Sequence, residues 1–320
     1  MQITIVTPAP AGTTHGNRIT AIRWAGILKE LGHRVAIRQT FAGPCSDVLI
    51  ALHARRSYAA VKRFRQHCPY APIVVALTGT DVYRDLYVDA RAEKALALAQ
   101  RIVVLQPKAL EKLSDEFRAK ARVIYQSVKT KAQLTRPAST KQTFDVCVIG
   151  HLRSVKDPFH GAMAARLLPD SSRIRIVQVG AALTTQMATR AQTEARRNAR
   201  YQWLGELPPA RARRVLAASQ LCIVSSRMEG GANVMSEAIV AGVPVLASRI
   251  DGNTGILGAD YPGLFDPGDT RELARLLRRA ETDNDFLSDL HRRVKQLAPL
   301  FAPERERCAW DELLRELHCG

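Results

Sequence analysis

Short apolar runs alternate with longer amphipathic segments along nearly the whole chain. In the first half, 3–6, 35–37, 48–53, 73–77, 102–105 and 123–125 have the length and flanks of buried strands. Ala21, Trp24, Ala25, Leu28 and Leu31 recur at spacings of three and four, with Gly32 just beyond, which predicts an early helix. Further helices are predicted at 57–65, 92–99 and, opened by a proline, 107–120. Residues 129–142 are polar and patternless, and read as a linker. The rhythm then restarts, with strands at 146–150, 174–179, 201–204, 221–224 and 243–247. Helices are predicted near 159–168, 184–200, 209–218, 232–241, 270–280, 285–297 and from about Pro303 to His318.

Two consecutive strand–helix series imply an α/β protein of two doubly wound, Rossmann-like domains facing a central cleft. The boundaries predicted are 1–135, 136–300, and a C-terminal helix in 301–320 that crosses back to the first domain. No short-period repeat is visible. At 320 residues the chain is long enough for two full cores.

Composition narrows the class only partly. With 46% apolar and 24% charged residues, the chain is an ordinary globular one. No apolar run reaches spanning length, and Met1 leads straight into a strand, so a cytoplasmic protein is expected. Six cysteines show no C-x-x-C pair and no regular framework; Cys147 and Cys222 read as core thiols, and cysteine-bound metal is not expected. The formal charge of +17 admits nucleic acid, an anionic membrane or anionic small substrates as partners. Its cations are scattered over helix faces without an aromatic-studded ribbon or basic tail, so charge alone does not choose.

The densest candidate chemistry lies in Ser225–Ser248, SSRMEGGANVMSEAIVAGVPVLAS. A strand, a turn at Gly230 and Gly231, and a helix from Ala232 and Asn233 closed by Gly242 together make an anion site at the helix start. Glu229 stands before the turn and Glu237 within the helix. Were both helical, ~12 Å would separate them, about the reach from a sugar across a diphosphate to a ribose. The plainer alternative is one acid near the dipole and one on a solvated face. Gly150, His151, Arg153 and Lys156 follow another strand, and Arg153 with Lys156 could meet a pyrophosphate. In the first half, the loop after the first strand holds Gly12, Thr13, His15, Gly16 and Asn17. His53 and Arg55 follow the third strand, and Thr78, Gly79, Thr80 and Asp81 the fourth. Topology aims these groups at the cleft, where cations and hydroxyls suit a small tetrahedral oxyanion, although His53 could equally just cap its strand.

The Glu229–Glu237 spacing resembles the E-x7-E signature of retaining GT-B glycosyltransferases, whose usual Glu-Gly-Phe-Gly is here Glu-Gly-Gly-Ala. The comparable family loop reads Gly-Arg-Leu with a lysine four residues on; Lys156 matches, and either Arg153 or His151 takes the arginine's place. The family's His-Gly-x-Asp is here Thr78-Gly79-Thr80-Asp81. Together PAGTTHGNR, ALHARRS, LTGTDVYRDL, GHLRSVKDPF and SSRMEGGANVMSEAI resemble the selenosugar synthases of selenoneine biosynthesis. That resemblance implies a UDP-sugar donor (UDP-GlcNAc or UDP-glucose), selenophosphate as acceptor and a carbon–selenium bond formed without a metal. It implies Glu229, Arg153 and Lys156 as catalytic groups. Glu237, Gly230, Gly231, Ala232, Asn233, Gly150, His151, Gly12 and Thr13 would bind the donor. His15, Gly16, Asn17, His53, Arg55, Thr78, Gly79, Thr80 and Asp81 would bind the acceptor. Other enzymes of the selenoneine pathway are implied partners, with no nucleic acid and no stable membrane association.

Overall fold

A computed structural model describes residues 1–129 and 143–318. Most of the linker expected at 129–142, including the domain boundary expected at 135, lies outside them. The chain divides into two compact units. One comprises Met1–Ser127, Glu229–Gly231 and the segment from Ala302; the other comprises Val128–Met228 and Ala232–Phe301.

The first unit is built on six parallel strands, β1 (Gln2–Val6), β2 (Arg34–Arg38), β3 (Val48–Leu52), β4 (Ile73–Leu77), β5 (Arg101–Val104) and β6 (Ala121–Val123), in the order β2-β1-β3-β4-β5-β6. Every residue of β3 and β4 is buried, as a parallel sheet covered on both faces requires. The period of two then sorts side chains between the faces. Leu49, Ala51, Val75 and Leu77 share a cluster with Val61 and Phe64 of the Ala54–His67 helix. Ile50, Leu52, Val74 and Ala76 pack with Trp24 of the Gly16–Glu30 helix and Trp310 of the Pro303–His318 helix. Glu306 fixes that last helix within the unit. Buried at 2% exposure, it accepts from Trp24 Nε1 at 2.8 Å and from Ser127 N and Oγ at 2.8 and 2.5 Å.

The second unit has β7 (Phe144–Ile149), β8 (Ile174–Val179), β9 (Tyr201–Trp203), β10 (Leu221–Val224), β11 (Val245–Ser248) and β12 (Leu264–Phe265), all parallel, in the order β12-β11-β10-β7-β8-β9. In each sheet the winding reverses once, between β1 and β3 and between β7 and β10. Ligands of open α/β sheets sit beyond the strand ends at such points.

Some expectations need correction. Residues 107–120 are not one helix: a 3₁₀ turn at Pro107–Lys112 gives way to extended Leu113, and Ser114 caps a new helix, Asp115–Ala119, by accepting from Phe117 N. A serine hydroxyl at that point offers the backbone a better partner than continuing the helix does. The next strand is Ala121–Val123 rather than 123–125. A π-helical turn at Asp81–Asp85, a helix at Asp251–Leu257 and strand β12 carry no clear apolar period and were not foreseen. Cys45 and Cys68 form a disulfide that their spacing did not suggest. Cys147 and Cys222 are buried neighbours on β7 and β10. No helix among the described residues is long and apolar enough to cross a membrane.

Candidate functional site

At the β7/β10 reversal two loops are stitched together. Gly150 leaves β7 with φ +154°, and Gly180, leaving β8, packs so closely over it that a Cβ there would lie 2.0 Å from the Gly150 oxygen. Leu152 then bridges Ala182, keeping this loop extended before the Ser154–Lys156 turn. Asp157, left-handed at φ 43°, ends the turn. From β10, Ser225 Oγ donates to the carbonyls of Lys156 and Asp157 at 3.1 and 2.9 Å, and Arg227 N donates to Val155 O at 2.8 Å.

The resulting narrow cavity is lined by Gly150, His151, Lys156, Gln178, Ser225 and Val234, among others. His151 and Lys156 thus come together there. Arg153 is exposed and does not line it.

The helix expected at 232–241 runs Asn233–Val240, with Ala232 as its extended N-cap and no acid in its first turn. The positive end of its dipole is therefore not offset by the turn's own side chains. Gly242, at φ 67°, donates to Ile239 O, while Val243 N donates to Ala238 O, which is a Schellman closure. Asn233 and Glu237 are four apart and both half-buried, on one face of this helix.

Glu229 is buried and not helical, so a helical rise does not set its distance from Glu237. Gly230 and Gly231 lie in the expected bend, but neither has a positive φ. Their role is close approach within the first unit. A Cβ on Gly230 would fall 2.6 Å from the Thr78 carbonyl carbon, and one on Gly231 2.8 Å from Leu105 Cβ. Leu105 occupies the space that an aromatic at position 231 would need.

In the first unit, the loop after β1 turns at Pro10–Thr13 with Gly12 at φ 76°, and Thr13 Oγ1 donates to Pro10 O at 2.9 Å. His15 precedes the Gly16–Glu30 helix without capping it by its side chain, and the first turn, with exposed Gly16 and half-buried Asn17, holds no acid. Across the β1/β3 reversal, His53 ends β3 at φ 72° and ψ 95°, a rare conformation for a residue with a side chain.

A polar network surrounds this buried imidazole. His53 Nε2 lies 3.1 Å from Thr80 Oγ1 and 3.8 Å from Asp85 Oδ2; Nδ1, without a hydrogen-bond partner, lies 3.8 Å from Asp81 Oδ2. Burial pushes the His53 pKa down; Asp81 and Asp85 oppose the shift, while Arg56 and Arg55 add to it. Asp81, fully buried, accepts from the backbone N–H groups of Ala54, Thr78 and Gly79, so it clamps the ends of β3 and β4 rather than facing a ligand. Arg55 is likewise committed, donating from Nε to Asp85 at 2.8 Å. For Asp85, burial pushes the pKa up, but hydrogen bonds from Arg55 and Arg84 outweigh it and hold the carboxyl below its usual range. Thr78 Oγ1 is buried without a hydrogen-bond partner. Asp85 and Arg84 were not singled out in the sequence. The signal available was the Asp81–Asp85 spacing, which a π-helical turn brings to one side.

A model of the glycosyl transferases group 1 family matches residues 131–298, just over half of the chain. The chain belongs to that family. Its fold is the GT-B α/β arrangement of two parallel six-stranded sheets. Anabaena Alr3699/HepE in complex with UDP is similar over 98% of this chain and 99% of its own, with a TM-score of 0.77 and 16% identity. The same protein with UDP-glucose matches over 100% of both chains, with a TM-score of 0.75 and 16% identity. Sucrose-phosphate synthase from Thermosynechococcus elongatus matches over 99% of both chains, at 0.78 and 16%. In this group 1 transferase, no cluster of three or more His, Cys, Asp or Glu placed to hold a metal occurs among the described residues.

Proposed function

We propose that this glycosyltransferase takes a UDP-sugar, UDP-GlcNAc or UDP-glucose, and transfers the sugar with retention to selenophosphate, without a metal. The observation that carries the donor half is the convergence of loops at the β7/β10 reversal, where Lys156 and His151 line one small cavity of about 20 Å³ beside the Asn233–Val240 helix. An anionic diphosphate suits that place: a lysine supplies point charge, and a helix start with no acid of its own supplies N–H dipoles. The UDP and UDP-glucose bound to the Anabaena neighbour support the same donor class. Glu237, on the same face of the helix as Asn233, would hold the ribose, and Glu229 the sugar. Arg153 keeps a role only at the rim of the diphosphate site, with His151 the better placed of the two.

In the reaction, the anomeric carbon–oxygen bond breaks and its electron pair leaves on UDP, where Lys156 neutralises the charge. Selenium bonds to the same carbon from the face UDP leaves, and later loss of phosphate would free a selenosugar. The selenium acceptor rests on the resemblance of five segments spread over nearly the whole chain. An oxygen acceptor is the second reading, favoured by the His53–Thr80 pair, which can take up a proton. Purified protein incubated with UDP-GlcNAc, with and without selenophosphate and with excess EDTA, tests donor, acceptor and metal dependence by product mass. A selenium-containing sugar phosphate formed equally well with chelator is the expected result. Alcohols glycosylated as readily as selenophosphate would favour the oxygen reading, and restoration by magnesium after EDTA loss would end the metal-free one.

A further inference from the structure

His53 is held in a conformation that side chains rarely adopt, at 4% exposure, with one ring nitrogen 3.1 Å from a hydroxyl and the other unpartnered beside a carboxylate. The His53 side chain makes no capping hydrogen bond to the helix it precedes. Thr80, unlike the imidazole and the Asp81 and Asp85 carboxylates, is half-buried, so the line hydroxyl, imidazole, carboxylate has one end within reach of a ligand. Behind the ring stand Asp81 and Asp85 from the π-helical turn, and Arg55 and Arg56 from the Ala54–His67 helix. Arg55 and Arg84 both bond Asp85, which leaves Asp81, bonded only to backbone N–H groups, as the carboxylate not shared with a cation.

We infer that Thr80 and His53 form a proton relay that serves an acceptor whose attacking atom arrives carrying a proton. The inference rests on the transferase reading and says where its acceptor's proton goes. As the acceptor atom bonds to the anomeric carbon and UDP leaves with the electron pair, the acceptor's proton passes to Thr80 Oγ1. The proton of Thr80 passes to His53 Nε2, and the imidazolium lies between the carboxylates of Asp81 and Asp85 until the proton returns to water. Thr80 touches the acceptor; His53 acts through it as a positioning residue and proton store. The class includes hydroxyl acceptors, water and the protonated form of selenophosphate.

The test uses the full chain with UDP-GlcNAc or UDP-glucose, first with water as the acceptor and then with selenophosphate from about pH 6 to about pH 9. His53→Asn suits the backbone, since asparagine tolerates a positive φ, and its amide can still reach Thr80. It is expected to lower the release of sugar to water ~100-fold or more, with UDP affinity by calorimetry near that of the parent. His53→Gly is expected to regain rate when free imidazole is added, which no structural role would produce. With selenophosphate the His53→Asn defect should shrink as pH rises, because the acceptor's proton is lost to water unaided; with a hydroxyl acceptor it should persist. A parent rate in His53→Asn, or no response of His53→Gly to imidazole, overturns the relay. So does a parent protein that binds UDP but passes sugar to neither acceptor. A chain that does not bind UDP at all overturns the donor reading, and the relay falls with it.

Discussion

Gly180 lies against the carbonyl of Gly150, so close that a methyl group on it would stand 2.0 Å from the oxygen. The approach sets the path of the loop that carries His151 and Lys156, because Gly150 also donates to Val179 O at 2.8 Å and Gly180 to Gly205 O at 2.8 Å. Neither residue can yield without breaking a strand-end hydrogen bond. Gly180→Ala adds both the overlap and strain at φ +147°. It should cost about 3 kcal/mol or more, in the range of a severe backbone lesion. A urea midpoint equal to the parent's would show that the loop relaxes freely, and UDP affinity would then also be unchanged.

Arg55 is bound to a carboxylate with 2% side-chain exposure, while its own side chain is 27% exposed. Removing the guanidinium therefore strands a buried acid, and Arg84 alone remains on the other oxygen. Arg55→Ala should destabilise the first unit by about 1–3 kcal/mol, the cost of an unsatisfied charged hydrogen bond. Adding Asp85→Asn should return part of that loss, since a neutral amide tolerates the missing cation. Simple additivity of the two substitutions in chemical unfolding would mean that the pair is not coupled.

How much of this was legible in the sequence depends on the range of the interaction. Strands such as Ile73–Leu77 and Leu221–Val224 were readable because burial on both sheet faces makes them uninterrupted apolar runs. The helix start at Asn233 and the loop at Lys156 were readable because turn glycines and strand ends mark them locally. Three of the features that were not readable share a cause. Ser114 divides 107–120 by a single hydroxyl, which a periodicity of apolar residues does not register. Gly230 and Gly231 look like turn glycines, yet what demands them is Thr78 and Leu105, more than a hundred residues away in sequence. Arg55 looks like an available cation until Asp85, thirty residues on, is seen beside it. In each case the deciding partner is remote or a single atom.

Acidification should weaken the first unit in two steps. His53 has its folded pKa lowered from 6.5, chiefly by burial, so the unfolded chain takes up the proton first as pH falls. Its contribution is complete above pH 6.5 and declines from there down to the folded value. Asp85 is lowered from 3.8: burial opposes the shift, and Arg55 and Arg84 prevail, so its contribution holds above 3.8 and goes as pH falls through the folded value. Unfolding free energy measured from neutral to acid pH should therefore slope downward just below 6.5. His53→Asn should reduce that first slope, leaving the part due to His160, whose pKa burial also lowers, and leave the second step in place. An identical profile in the variant would remove His53 as its source.

The Cys45–Cys68 disulfide joins residues 23 apart in sequence and closes a loop that includes β3 and the whole Ala54–His67 helix. Constraining such a loop in the unfolded chain stabilises the fold by about 3 kcal/mol in the chain-entropy account. A reducing agent should thus lower the melting temperature of the oxidised protein. Cys45→Ser should melt at the reduced value with or without reductant. A reductant-sensitive shift that survives in Cys45→Ser would have to come from another thiol, and Cys308 is the exposed one among the described residues.

Glu237 lies one turn beyond Asn233 on a helix whose start carries no acid, with Val234 of the same turn lining the Lys156 cavity. A nucleotide with its diphosphate at the helix start would extend along that face, and a carboxylate there can accept from both ribose hydroxyls. Glu237→Ala should weaken UDP binding by about 1–3 kcal/mol, as loss of charged hydrogen bonds does. The helix itself should survive, because alanine is the strongest helix former and the Gly242 closure does not use the Glu237 side chain. Two controls separate ribose recognition from general damage: the melting temperature without ligand, and the affinity for inorganic diphosphate, which lacks a ribose and should be unchanged. If UDP and diphosphate weaken together, Glu237 acts on the anion site as a whole. Unchanged affinity for both would take it out of the donor site altogether.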